Sequence, residues 1–205
     1  MKKLSLKWKK DLILKRSMHN KSNLKCLGRG VDLEKQVLYY DEIETPVGTL
    51  SLLSNGKHAL RIDYDDFTSN QEKWTKWTER YIGDVEFHQN SAPFKWIAEE
   101  LQAYFLGEKK EFTFDFKLIG TSFQKQVWQA LTDTIPFGET KSYKDIAVSI
   151  GNPKAVRAVG GAVNKNPFSI VVPCHRVIGT NGKMVGYGGG LDRKEYLLAF
   201  EKKNR

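Results

Sequence analysis

Residues 170–177 read IVVPCHRV, and Cys174, His175 and Arg176 are the side chains whose types could do chemistry together. Three apolar residues of strand type run into Pro173, and a thiol, an imidazole and a guanidinium follow in sequence. A structural cysteine is normally a small buried hydrophobe. A thiol among cationic groups has surroundings that favour the thiolate, its nucleophilic form. His175 is the candidate base. Adjacent side chains on a strand point to opposite faces, so the pair can cooperate only if the backbone turns there, which Pro173 allows. Two readings stay open at this point, a reactive Cys174 and a buried structural one. A metal centre is not expected, because His19, His58, His88 and His175 are scattered without ligand spacing. A papain-like protease is a poor fit, because PCHR lacks that family's surroundings of the cysteine.

The elements that must position these residues follow from composition and pattern. The chain has 205 residues and only two cysteines, Cys26 and Cys174. That excludes a disulfide framework and a Cys-rich zinc site, and it favours a reduced, intracellular, cytoplasmic protein. No apolar run reaches transmembrane length, and no membrane partner is expected. The net charge of +9 is unevenly placed: residues 1–30 carry ten Lys+Arg against Asp11 alone. Residues 31–119 hold 10 basic and 17 acidic side chains, and 120–205 hold 13 basic and 6 acidic. The last third therefore suits a polyanion and the middle does not; ordinary surface charge remains the plain alternative.

Residues 1–33 show no clear period. Leu4, Trp8 and Leu12 would align on a short basic amphipathic helix, and a disordered tail fits equally. From Val37 the chain reads as three short strands, with turns at Pro46-Val47-Gly48 and Asn55-Gly56. Ile97, Leu101, Tyr104 and Phe105 share a helical face bounded by Pro93 and Gly107. FTFDF at 112–116 alternates as a strand should. This block, 36–118, reads as a small α+β domain, preceded by a basic extension over 1–35.

The second block, 119–205, is helical. Phe123, Val127, Ala130 and Leu131 fall on one face of a helix with Ser122 as expected N-cap, ended by Pro136-Phe137-Gly138. Ser142 to Asp145 fits a capping box ahead of Ile146, Ala147 and Ile150. Gly151 suits the position after that helix, Asn152 can cap the next, and Pro153 fits its first turn. Two helices with a tight turn make a helix-turn-helix candidate. At ~100° per residue, KAVRAVGGAVN puts Ala155, Val156, Ala158, Val159, Ala162 and Val163 on one side. Lys154, Arg157, Gly160, Gly161 and Asn164 fall on the other. Adjacent glycines cost a helix roughly 1 kcal/mol each, so something must require them. One reading is a smooth face for close backbone approach with Arg157 standing above it. The other is a solvated arginine and glycines packed against a neighbouring loop.

Taken together, PCHRV at 173–177, GNPKAVRAVGGAVNKNP at 151–167 and GGLDRKEYLLAFE at 189–201 resemble the O6-alkylguanine-DNA alkyltransferases. The likeness is strong over 119–205, looser over 37–118 and absent over 1–33. It implies an α+β fold, with a ribonuclease H-like first domain and a winged-helix-like second domain containing the helix-turn-helix. It implies single-turnover DNA repair without a cofactor, by a monomer working from the minor groove of double-stranded DNA. An alkyl group on guanine O6, or on thymine O4, would pass to Cys174. His175 would act as base through a water, Glu201 would orient it, and Asn166 would hold the cysteine loop. Tyr143 would press on the phosphate and offer its hydroxyl to the flipped base, while Arg157 would fill the gap in the stack. Lys154, Gly160, Gly161 and Asn164 would belong to the DNA-facing surface. Backbone groups of Cys174, Val177 and Gly188 would read the guanine edge, and Val163, Tyr187 and Gly189 would shape the pocket.

The chain departs from the pattern at Gly188, where family members often have serine or alanine. A contact made by the backbone would leave only pocket width affected. The Cys-rich zinc module fused to some relatives has no counterpart, so methylphosphotriester repair and transcriptional activation are not expected. Relatives that sense lesions without repairing them replace the cysteine, whereas Cys174 is present. The rivals are a non-catalytic lesion-sensing DNA-binding protein and a multi-turnover Cys–His hydrolase. The tail at 1–33 would be a basic arm adding salt-dependent DNA affinity, or an upstream extension of the reading frame.

Overall fold

The computed structural model describes residues 35–184 and 186–205. The expectations for residues 1–33 therefore lie outside the described residues. Lys35–Arg205 forms one compact unit, and no helix among the described residues is long and apolar enough to cross a membrane.

Alternation and turn chemistry build the first sheet. β1 (Gln36–Thr45) turns through Pro46 and Val47 into β2 (Gly48–Ser54), with Gly48 at φ +95° supplying the conformation that the turn needs. β2 passes through Asn55–His58 into β3 (Ala59–Tyr64), where the Asn55 Oδ1 accepts the Lys57 and His58 amides. α1 (Phe67–Tyr81), capped by Asp66, then carries the chain to β4 (Val85–Gln89), which pairs parallel to β1. The order is β3-β2-β1-β4. Leu38, Leu53, Leu60 and Trp74 form the core between sheet and helix. The sequence reading assigned neither α1 nor β4. A 3-10 turn, Ala92–Phe94, leads into α2 (Lys95–Phe105), whose expected face of Ile97, Leu101, Tyr104 and Phe105 is buried.

FTFDF is not a strand. It is extended and its side chains do alternate in burial, but it makes one bridge, Ala59 to Phe116, with the edge of β3. Its backbone meets β3 only at Ala59, whose amide donates to the Asp115 carbonyl and whose carbonyl accepts the Lys117 amide, so no ladder follows.

In the second domain α3 (Ser122–Thr134) is capped by Thr121 rather than Ser122. The Thr121 side chain accepts the Gln124 amide, and the Gln124 side chain accepts the Thr121 amide. Ser142 caps α4 (Tyr143–Ser149) with Asp145 completing the box, and Gly151 follows at φ +72°. α5 (Val156–Val163) begins later than expected. Asn152 does not cap it: the N-cap is Ala155, without a side-chain cap, and Asn152 lies a turn earlier with its carbonyl accepting the Ala155 amide. α3, α4 and α5 pack on one another, and the Trp128 indole of α3 donates to the Ala162 carbonyl of α5. β5 (Lys141–Ser142) pairs parallel to β6 (Val177–Ile178), and α6 (Leu191–Lys203) closes the chain.

The edge of β3 joins the domains. The Ile62 amide donates to the Pro167 carbonyl, and the Ser169 amide donates to the Ile62 carbonyl. The sheet edge thus holds the segment that leads to Cys174.

Candidate active site

The IVV run before Cys174 forms turns rather than a strand. Ile170 sits at φ +71°, a left-handed conformation that a β-branched residue adopts only under constraint. Asn166 is that constraint. Its Oδ1 accepts the Phe168 amide at 2.9 Å. Its Nδ2 reaches the Phe168 carbonyl at 3.0 Å, the Val172 carbonyl at 2.8 Å and the Cys174 Sγ at 2.9 Å. Pro173 ends the turn, and Cys174–Arg176 is a single 3-10 turn. The backbone therefore does bend where a Cys–His pair would need it to.

His175 and Arg176 both reach Glu201, on α6. The His175 Nε2 lies 2.8 Å from Glu201 Oε1. Arg176 donates from Nε at 2.8 Å and from Nη2 at 3.0 Å, and its Nη1 donates to the Ile135 carbonyl. The Tyr104 hydroxyl and the Gly138 amide also donate to Glu201. Glu201 is 0% exposed. Burial works against its charge, but the hydrogen bonds from His175 and Arg176 hold it well below the usual carboxylate range. Burial pushes His175 down, against the pull of Glu201, so the ring is neutral near pH 7. A carboxylate only accepts, so Nε2 carries the proton and Nδ1 keeps a free lone pair. Among the described residues, that Nδ1 is the buried side-chain atom left without a hydrogen-bond partner.

The sulfur itself corrects one expectation. Cys174 is 6% exposed, and burial raises its pKa; Asn166, Tyr187 and Lys194 pull the other way. At rest it is a covered thiol, not a poised thiolate. The favourable charge expected of Arg176 is committed to Glu201 instead. The cation that acts on the sulfur is Lys194, fully buried on α6, with its ammonium donated to the Val177 carbonyl. Lys194, Leu197 and Glu201 are the buried residues of α6. A lysine on the same helical face as a buried leucine and glutamate was the available signal.

The remaining candidates divide into a buried or half-buried group near Cys174 and an outer face. Val163 and Val177 are buried. The Val177 amide is spent on the Cys174 carbonyl and its own carbonyl on Lys194, so of the expected edge-reading groups at Val177 one carbonyl lone pair remains. Tyr187 and Tyr143 are half-buried; the Tyr143 hydroxyl meets the Gly186 carbonyl at 3.3 Å. A Cβ on Gly189 would lie 2.3 Å from the Tyr64 ring, so only glycine fits there. One on Gly188 would meet nothing nearer than 3.5 Å, which matches a backbone role with room for a side chain.

On α5, Val159, Ala162 and Val163 are buried, whereas Ala158, expected on the apolar side, is exposed. Arg157, Gly161 and Asn164 are exposed, as is Lys154 in the preceding turn. Gly160 faces the Tyr143 ring, where a Cβ would sit in ordinary contact at 3.8 Å. A Cβ on Gly161 would meet nothing within 4 Å. No neighbouring loop among the described residues requires these glycines, so packing does not explain them there.

Fold and site together define a class: a ribonuclease-like α+β domain joined to a helix-turn-helix domain that carries a buried cysteine beside a His–Glu pair. Family models agree on both halves. Residues 38–118 match the 6-O-methylguanine DNA methyltransferase ribonuclease-like domain, and 122–203 match the DNA binding domain of the same description. The chain belongs to the 6-O-methylguanine DNA methyltransferase family. It is 46% identical over 167 residues to the methylated-DNA–protein-cysteine methyltransferase of Methanosarcina barkeri, covering 82% of this chain and 99% of that one. It is 45% identical over 168 residues to the protein of that name from Mycolicibacterium paratuberculosis, covering 82% and 94%. Among solved structures it is similar to Mycobacterium tuberculosis OGT in complex with DNA, with a TM-score of 0.69, 41% identity and coverage of 81% and 94%. It is also similar to the O6-methylguanine-DNA methyltransferase of Pyrococcus kodakaraensis, with a TM-score of 0.57, 25% identity and coverage of 80% and 98%.

Proposed function

We propose that this protein repairs DNA by moving an alkyl group from guanine O6, or thymine O4, to the Cys174 sulfur, once per molecule. The carrying observation is the free Nδ1 of a neutral, Glu201-bound His175 in the turn that holds a covered thiol. A base inside a duplex cannot reach a covered sulfur, so it must be extruded, at a cost of a few kcal/mol. Arg157, alone above an open glycine ridge, enters the stack and offsets that cost, while Gly160, Gly161, Asn164 and Lys154 let the helix lie close in the minor groove.

With the base seated, Nδ1 takes the Cys174 proton through a water, and Arg176 keeps Glu201 charged throughout. The thiolate attacks the alkyl carbon in line; the S–C bond forms, the C–O6 bond breaks, and its electron pair returns to the guanine. The Tyr143 hydroxyl, held protonated by burial, passes its proton to the departing base, which leaves as neutral guanine, and the proton taken from Cys174 returns from His175 through solvent to Tyr143. The thioether has no easy hydrolytic route, so the molecule is consumed. Asn166 is the loop's hinge, and Val163, Val177, Tyr187, Gly188 and Gly189 shape the pocket. We place the domain junction at 118–119 and the protein, a monomer, in the cytoplasm. Intact mass after incubation with duplex carrying O6-methylguanine tests the assignment. One methyl per chain, on Cys174, is expected. Tight binding without modification would favour a lesion sensor, and turnover without modification a hydrolase.

A further inference from the structure

We propose that Tyr64, at the end of β3 in the first domain, is a positioning residue for the transfer: its hydroxyl donates to Tyr187 and so aims the single Tyr187 proton at the Cys174 sulfur. The two phenol oxygens lie 2.8 Å apart, and the Tyr187 hydroxyl stands near enough to the Cys174 side chain to favour its charged form. A phenol has one proton. A thiolate only accepts, so once Cys174 ionises the Tyr187 proton must point to sulfur. Its oxygen is then free to accept, and Tyr64 is the hydroxyl in reach. Burial keeps both phenols protonated, so the chain Tyr64 to Tyr187 to sulfur is a file of donors ending on the developing charge.

The arrangement is built rather than incidental. Tyr64 is 8% exposed, and its ring lies where a side chain on Gly189 would go. The Arg193 guanidinium stands 4.6 Å over that ring. Arg193 also donates to Asp65 at 2.6 Å, to the Val47 carbonyl at 2.9 Å and to the Gly189 carbonyl at 3.3 Å. The first domain thereby clamps the pocket loop that carries Tyr187. Lys194 from α6, Tyr143 from the start of α4 and Tyr187 from the loop act on the sulfur, and Tyr64 reaches it through Tyr187. His175 and Arg176 are committed to Glu201.

The inference rests on Cys174 being the acceptor. Tyr64→Phe tests it, because it keeps the ring against Gly189 and under Arg193 and removes only the hydroxyl. The readout is the pH dependence of Cys174 alkylation by iodoacetamide in the full chain carrying Cys26→Ser, alongside methyl transfer from duplex. The inflection should move to higher pH. Labelling and transfer near neutrality should both slow about two- to tenfold, the worth of one hydrogen bond, with the labelling deficit closing above the inflection. In a Tyr187→Phe background the same change should do nothing further. An unmoved inflection, or effects that simply add, overturns the proposal. Iodoacetamide needs no DNA, so a wild-type chain that never accepts methyl would sink the assigned reaction while leaving the proton file measurable.

Discussion

Asp63 in the first domain and Glu201 in the second are both buried carboxylates with a guanidinium against each. Asp63 takes Arg61 at 2.7 and 3.0 Å, Lys73 at 2.7 Å and the Trp74 indole at 2.7 Å. Glu201 takes Arg176, the Tyr104 hydroxyl, the Gly138 amide and His175. The difference lies one step further out. Every partner of Asp63 is a pure donor, two cations and an indole, with no basic lone pair to offer onward. His175 has a second nitrogen, basic, buried and unpartnered. A buried ion cluster therefore says little about chemistry by itself; an open end on the cluster is what a proton acceptor needs.

Glu201→Gln and Asp63→Asn break the comparison with the largest expected effects. Each strands a buried arginine, which costs about 3–5 kcal/mol by denaturant melts. Only Glu201→Gln should also slow methyl transfer by the folded fraction, by about 10²-fold or more, because it removes the group that holds the base. It should also raise the thiol pKa, moving the pH–rate profile to higher pH. If Asp63→Asn slowed transfer as much, the distinction between closed and open clusters would fail.

The closed cluster should also show in acid. Burial opposes the Asp63 charge, but Arg61 and Lys73 outweigh it and lower its pKa from 3.8 to about 2. The folded value is depressed, so the contribution is fully present above pH 3.8 and lost as pH falls through about 2. That is about 2 kcal/mol. The gap between the stability curves of wild type and Asp63→Asn should therefore narrow by about 2 kcal/mol over that acid range.

The two regions differ in legibility for the same reason that they differ in function. Hairpins and caps follow local rules, so Asn55-Gly56 and the Ser142 box announced themselves. α1 did not, because two of its three buried residues, Asn70 and Thr78, are polar and dilute the apolar spacing of Phe67, Trp74 and Trp77. β4 pairs on one side only and is mostly exposed; its alternation rests on just two apolar residues, Val85 and Phe87, too short a run to stand out. In the site, Cys174, His175 and Glu201 were readable from motifs. The commitment of Arg176 to Glu201 and the reach of Tyr64 across domains were not, since both depend on contacts far apart in sequence.

Lys194 sharpens the contrast from the cation side. Arg61 and Arg176 each face a carboxylate, whereas Lys194 bonds only a carbonyl and acts on the sulfur. Burial lowers its pKa and the sulfur raises it. Lys194→Met keeps the stem and removes the charge. The thiol inflection should rise, with iodoacetamide labelling about tenfold slower near neutral pH, about one pK unit's worth, and equal to wild type in strong alkali.

Gly161→Ala carries the smallest expected change and separates a surface kept open from one closed by packing. At Gly189 a Cβ collides with Tyr64, so the fold itself demands glycine. At Gly161 the fold offers open space and φ is ordinary for a helix. Alanine there should therefore stabilise the protein, by about 0.5–1 kcal/mol in a thermal melt. If the ridge exists for close approach to a duplex, the same methyl should weaken DNA affinity while leaving reaction with free O6-alkylguanine unchanged. A variant that is more stable and binds DNA as wild type does would show that the open face serves something other than the duplex.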